Sequence, residues 1–118
     1  MDRIVSSFER AWSTHDDAAL EEFLPPPDHL NFEAILCELI RVDLEMRWSR
    51  KRPRRLDDYQ NRHPELFCNA VMLNLLAFEE FRQRLLTGEA VNPTEYEDAY
   101  GVYTASWPRS IEPLTRVG

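Results

Sequence analysis

The sequence predicts an all-α fold: three degenerate repeats of a long helix plus a short acidic-aromatic helix, packed as one small domain. No segment shows the sustained alternation of apolar and polar residues that is typical of a β-strand. A shift of 36 positions places Phe8 and Trp12 on Leu44 and Trp48. A fixed period of this length is typical of stacked helical units, so we expect one unit to occur three times.

The repeat includes the short segments that follow the long helices. A shift of 36 places "LEEF" at 20–23 on "LDDY" at 56–59, and a shift of 37 places Tyr59 on Tyr96. Bulky residues at equivalent positions favour core packing over a stacking surface for bases. The six structural repeat positions are Trp12, Phe23, Trp48, Tyr59, Leu85 and Tyr96.

Length and composition are those of one small domain. The chain has 118 residues and 43% hydrophobic content, which is enough for one modest core. Its three glycines are too few for a glycine-rich phosphate loop. We predict a single helical domain over 1–103 and an extended tail or linker over 104–118. The predicted units span about 1–27, 28–63 and 64–101.

The first unit begins with a helix whose apolar residues have helical spacing; they are Ile4, Val5, Phe8 and Trp12. "STHDD" interrupts this pattern, and Asp16 or Asp17 can cap a short helix through Phe23 or Leu24. Three prolines at 25–27 end that helix, because proline lacks an N–H donor and clashes with the preceding turn.

The second unit begins near Asp28 and contains the most apolar helix. Its broad stripe predicts a central helix that is covered on more than one side; the stripe comprises Phe32, Ile35, Leu36, Leu39, Ile40, Val42, Leu44, Met46 and Trp48. Pro53 closes the following turn. "RLDDYQNR" then predicts the short acidic-aromatic helix.

The third unit begins at His63-Pro64, with Pro64 predicted at the first helical position, where its missing donor has no consequence. Gly88 is the expected helix stop. The "NPTE" stretch predicts another helix start, with Asn92 as the cap, Pro93 at the first position and Glu95 completing a capping box.

No residue pattern predicts a catalytic, cofactor or metal site. The paired acids are predicted to be solvated helix faces and caps, since neighbouring side chains on a helix diverge by about 100°; they are Asp16-Asp17, Glu21-Glu22, Asp57-Asp58 and Glu79-Glu80. No histidine has a Cys or His at a metal-ligand spacing; the histidines are His15, His29 and His63. Cys37 and Cys68 are predicted to be buried, reduced thiols.

One basic run interrupts an acidic chain of net charge −7. "RWSRKRPRR" at 47–55 holds six of the fourteen basic residues. Three interpretations stay open: a solvated turn between helices, docking to an acidic protein surface, and salt-dependent contact with a nucleic-acid backbone. The negative net charge argues against the last. The candidate partner-binding residues are Arg50, Lys51, Arg52, Arg54 and Arg55.

The sequence predicts neither a leader peptide nor a membrane span. No basic-then-apolar segment opens the chain, and no apolar run approaches the roughly 18 residues that a span requires. We therefore expect a cytoplasmic protein without membrane contact.

The stretch "ELIRVDLEMRWSRKRPRRLDDYQNRHPEL" at 38–66 resembles a segment that precedes the catalytic domain in planctomycete-type bacterial serine/threonine protein kinases. The matching residues of its first run are Leu39, Asp43, Leu44, Glu45, Arg47 and Trp48. Those of its second run are Asp57, Asp58, Tyr59, Arg62, Pro64, Glu65 and Leu66, with His63 where phenylalanine is usual. With its flanking units, the resemblance covers roughly residues 4–100.

The resemblance implies a regulatory or scaffolding role without catalysis. The chain has no glycine-rich loop and no Val-Ala-x-Lys, His-Arg-Asp or Asp-Phe-Gly motif, and phosphoryl transfer requires these parts to hold ATP and metal. We expect a non-enzymatic module, free-standing or part of a longer kinase, whose partner is a protein or an attached kinase domain. The alternative is a small transcription-associated or nucleic-acid-binding helical protein that uses residues 47–55.

Overall fold

The computed structural model describes residues 2–107, and all regular secondary structure in that range is helical. In chain order the elements are α1 (Asp2–His15), a 3₁₀ helix (Leu20–Phe23), α2 (Phe32–Ser49), α3 (Leu56–Arg62), a second 3₁₀ helix (Leu66–Cys68), α4 (Ala70–Leu86) and α5 (Thr94–Tyr100). The all-α prediction is confirmed.

The long helix α2 is central, as its broad apolar stripe predicts. It packs against α1 on one side and α4 on the other. At the starts of α2 and α4, the Asn69 side-chain amide donates to Glu33 at 2.9 Å. Just beyond the ends of α1 and α2, Arg50 donates to Asp16. Because equivalent ends meet, the three long helices run parallel, and the short helices return the chain between them.

The start of α4 differs from the prediction. Pro64 does not begin the third long helix: a 3₁₀ helix over Leu66–Cys68 follows it, and α4 begins only at Ala70. The Asn69 side chain accepts a hydrogen bond from the Met72 N–H at 3.1 Å, which is the geometry of an N-cap. This cap fixes the helix start six residues after the proline.

The turn after α1 also differs from the prediction. Neither Asp16 nor Asp17 caps the short helix at Leu20–Phe23, which has no side-chain cap. Asp16 instead adopts a positive φ of 56°, a left-handed conformation that is uncommon outside glycine. Its carboxylate accepts a hydrogen bond from Arg50, 34 positions away. The aspartate therefore joins two turns.

Of two predicted helix signals, Gly88 lies where the sequence places it, whereas α5 begins at Thr94 with Pro93 as its N-cap, one residue later than predicted. Gly88 has φ of 93° and follows the last turn of α4, with its N–H bonded to the Leu85 carbonyl at 3.0 Å. At α5, the Asn92 N–H donates to the Glu95 carboxylate at 3.1 Å. Asn92 accepts from the Thr94 N–H at 3.0 Å, one residue earlier than in the usual box.

The capping carboxylate predicts a pH effect. The hydrogen bond from the Asn92 N–H, with the charge of Arg84, holds the pKa of Glu95 below its ordinary value of 4.5. A lowered folded-state pKa stabilises the fold above the unfolded-state pKa, and this contribution is lost as pH falls through the folded value. We expect Glu95→Gln to unfold at lower urea concentration at neutral pH, with the difference vanishing in acid. Asp98→Asn is the control, because Asp98 is an exposed acid on the same helix. It should leave the urea midpoint unchanged both at neutral pH and in acid.

The segment after α5 contributes to the core. Trp107 is buried, and its ring centroid lies 5.4 Å from Phe78, 5.0 Å from Phe81 and 5.7 Å from Tyr96. Residues 104–107, the first part of the predicted tail, therefore pack on α4 and α5. The rest of that tail, 108–118, lies outside the described residues, and the boundary at 103 stays a prediction.

Candidate binding surfaces and buried carboxylates

A fully buried carboxylate lies at the centre of α2. Asp43 Oδ2 accepts hydrogen bonds from Arg47 Nε at 2.9 Å and from the Tyr59 hydroxyl at 2.5 Å. Arg54 Nη1 lies 3.7 Å from the same oxygen. Burial raises the pKa of Tyr59, and the charge of Asp43 raises it further, so the phenol stays a donor. We name these four residues the Asp43 cluster.

A second buried carboxylate lies on α4. Glu80 Oε1 accepts from the Tyr96 hydroxyl at 2.7 Å. Its Oε2 accepts from the Leu56 N–H at 2.7 Å. Arg84 donates to the Tyr96 hydroxyl at 3.0 Å. The first N–H of α3 therefore finds its partner on α4, because its own N-cap, Arg55, supplies none. Glu80, Arg84 and Tyr96 form the Glu80 cluster.

The prediction that the paired acids are solvated is wrong for one pair, Glu79-Glu80. The other three pairs are exposed, as predicted; they are Asp16-Asp17, Glu21-Glu22 and Asp57-Asp58. Glu79 and Glu80 are both buried, and Glu79 accepts hydrogen bonds from Arg82 and Gln83 at 2.9 Å each. The sequence contained a signal for Glu80. The shift of 37 that places Tyr59 on Tyr96 also places Asp43 on Glu80 and Arg47 on Arg84. Both acid–tyrosine bonds join residues 16 positions apart.

The basic turn is tied to the domain by its guanidinium groups. Each of four candidate arginines has a carboxylate partner within the chain: Arg50 and Arg52 meet Asp16, Arg54 meets Asp43, and Arg55 meets Glu80. Lys51 is exposed, and its side chain makes no hydrogen bond or ion pair with the described residues; its backbone N–H bonds to the Trp48 carbonyl at 3.1 Å. The turn therefore differs from a freely solvated loop. Its role in partner binding stays a prediction.

The predicted repeat positions lie in or against the core. Four are buried: Trp12, Trp48, Tyr59 and Tyr96. Phe23 and Leu85 are partly buried and pack on these residues. The aromatic rings are therefore occupied by packing.

The two cysteines differ in environment. Cys37 is buried, and burial raises the pKa of its thiol to about 11. Cys68 is exposed, so the prediction of a buried thiol is wrong there. Cys68 ends the 3₁₀ helix that precedes α4 rather than lying inside a long helix. Within residues 2–107, no three His, Cys, Asp or Glu side chains converge as a metal site.

An uncharged groove lies between the N-terminal half of α4 and residues 100–106. It encloses about 630 Å³. Val71, Leu75 and Tyr103 remain 68%, 52% and 75% exposed. The Asn74 amide donates to the Tyr103 carbonyl at 2.9 Å and fixes the groove's outer wall. No charged residue lines it. No sequence pattern assigned a binding role to Val71, Leu75 or Tyr103, so sequence reasoning missed this surface.

Comparison of the chain with protein-family models, with curated proteins and with solved structures finds no match. The resemblance to the kinase N-terminal region therefore stays a prediction. No helix in the described part of the chain is long and apolar enough to cross a membrane.

Proposed function

We propose that the chain is a non-enzymatic helical module that binds protein and regulates or positions its partner. The partner is another protein or, as the resemblance implies, an attached serine/threonine kinase domain in a bacterial cytoplasm. The module consists of three copies of one unit, a long helix followed by a short one.

The buried clusters support the repeat. The Asp43 and Glu80 clusters use the same residue types at equivalent positions of the second and third units. In the first unit the equivalent positions hold Ser7, Ala11 and Phe23. There the tyrosine's place is taken by Phe23, whose ring packs edge-on against that of Phe8 on α1, with 5.2 Å between centroids. The acid, the arginine and the hydroxyl are thus replaced together, so no charge is left buried alone.

The uncharged groove is the observation that carries the proposed function. An apolar surface that stays exposed in a chain with 30% charged residues is typical of an interaction site. Burying a large aliphatic side chain contributes about 1.5–3 kcal/mol. We therefore assign the groove to an apolar segment of the partner, because a charged segment would lose its hydration there without compensation.

A single charge in the groove tests this proposal. We expect Leu75→Asp to weaken partner binding about tenfold or more, since a charge would replace an anchoring side chain. Leu86→Asp is the matched control, because Leu86 lies on the same helix, is 54% exposed and does not line the groove. The measurement is quantitative co-purification of proteins with the tagged chain from its native cells.

Two results would contradict the proposal. Equal loss of partners from the Leu75 and Leu86 variants would mean that the groove is not the binding surface. Tight, salt-sensitive binding of DNA or RNA, without a protein partner, would favour the nucleic-acid alternative at residues 47–55. The isolated chain should neither hydrolyse ATP nor transfer its phosphate.

A further inference from the structure

Two guanidinium groups beyond the end of α2 converge on one exposed carboxylate. Arg50 Nε donates to Asp16 Oδ1 at 2.5 Å. Arg52 Nη2 donates to the Asp16 carbonyl at 2.5 Å and lies 3.5 Å from its Oδ2. The Asp16 side chain is nevertheless 74% exposed. The arginines thus hold an anion at the surface.

Both arginines are fixed from beneath. Their guanidinium carbons lie 5.2 Å and 5.6 Å from the centroid of the buried Trp12 ring, which is a cation–π distance. Arg50 Nη1 also contacts the Met46 carbonyl and sulfur, each at 3.3 Å. Side chains held in this way lose little further freedom when they bind a ligand. The pair is therefore a pre-organised anion site, which we call the arginine clamp.

The carboxylate that fills the arginine clamp is easily displaced. Exposed ion pairs contribute little net stability, because water solvates both charges when they separate. The Asp16 backbone is held independently of the clamp, because its N–H bonds to the Trp12 carbonyl at 2.9 Å at the end of α1. Its side chain can therefore leave the arginines without unfolding the turn. An incoming carboxylate could replace that of Asp16 on Arg50 Nε and beside Arg52, while Arg52 Nη2 keeps its hydrogen bond to the Asp16 carbonyl.

We infer that the arginine clamp receives an acidic side chain of a protein partner, and that Asp16 occupies the clamp in its absence. The inference rests on the proposed role in protein binding and concerns a surface other than the groove. Guanidinium donors match a carboxylate in geometry and charge. Asp16 acts as an internal competitor, so only a partner whose acidic segment outcompetes it is bound.

Neutralising the competitor tests the inference. The probe is a fluorescein-labelled oligoglutamate peptide, and its affinity is measured by fluorescence anisotropy. We expect Asp16→Asn to tighten binding about two- to fivefold, the range of one exposed ion pair. Asp17→Asn removes the same charge one position away, where the described residues offer it no partner. It should have a clearly smaller effect.

Loss of the donors provides the opposite test. We expect the double variant Arg50→Gln/Arg52→Gln to weaken peptide binding about tenfold, whereas Lys51→Gln in the same turn should change it little. Circular dichroism confirms that each variant is folded, and Asp16→Asn, which removes only an exposed charge, keeps the test valid if the double variant unfolds.

Three results would overturn the inference. Asp16→Asn and Asp17→Asn could tighten binding equally, which would indicate only the general charge of the protein. The arginine variant could bind the peptide as well as the original chain. An oligonucleotide could bind more tightly than the peptide, with a steep loss in salt. Leu75→Asp should leave peptide binding unchanged, so failure of the clamp and failure of the groove are distinguishable.

Discussion

Replacing Asp43 by alanine should lower the free energy of unfolding by about 3–5 kcal/mol, the usual effect of breaking a buried ion pair by removing one partner. The Tyr59 hydroxyl would lose its only described acceptor. Arg47 and Arg54, whose side chains are mostly buried, would be left facing each other without the carboxylate. Since small domains are stable by about 5–15 kcal/mol, this is a large fraction of the total. Urea unfolding followed by circular dichroism measures it.

Glu45→Ala is the control for this experiment. Glu45 lies on the same helix, but its carboxylate is half-exposed, and its one ion pair among the described residues, with Arg41, is long at 4.0 Å. Its loss should cost less than about 1 kcal/mol. If the two variants were equally stable, the Asp43 cluster would not hold α2 and α3 together.

Trp48→Ala should have an effect of similar size for a different reason. The indole is buried, and its N–H donates to the Arg54 carbonyl at 3.3 Å. Truncating a buried large aromatic costs about 3–5 kcal/mol, because both packing and burial are lost. For a domain of this size we expect the melting temperature to fall by more than about 10 °C.

Tyr103→Ala is the matched control for Trp48→Ala. Tyr103 is also a large aromatic residue but is 75% exposed, so its truncation should leave the melting temperature nearly unchanged. A Trp48 variant that melts like the original chain would mean that this ring is not part of the core, and would reopen an aromatic binding surface.

The helices were predictable because apolar spacing and local chemistry specify them. The stripe of α2, the stop at Gly88 and the hydrogen bonds of Asn92 just before α5 each act through residues a few positions apart. Such signals need no knowledge of the rest of the chain. The start of α4 was missed because Pro64 and Asn69 are both good start signals, and only packing decides between them.

The buried carboxylates and the arginine pairs could not be predicted from local patterns. Glu80 is buried because α3 presents an N–H to it from 24 positions away, and Asp16 is held by an arginine 34 positions away. Charged residues are usually exposed unless they are paired, and pairing at such distances depends on the tertiary fold. The groove likewise forms from α4 and a later segment.

The most direct test of the proposed function places a photo-crosslinking amino acid at position 75, with position 86 as the control site on the same helix. After irradiation of the native cells, position 75 should crosslink to a protein, nuclease treatment should not alter the product, and position 86 should not give it. Binding through an apolar anchor predicts this contrast. Equal crosslinking from both positions, or a product at position 75 that nuclease removes, would contradict the account.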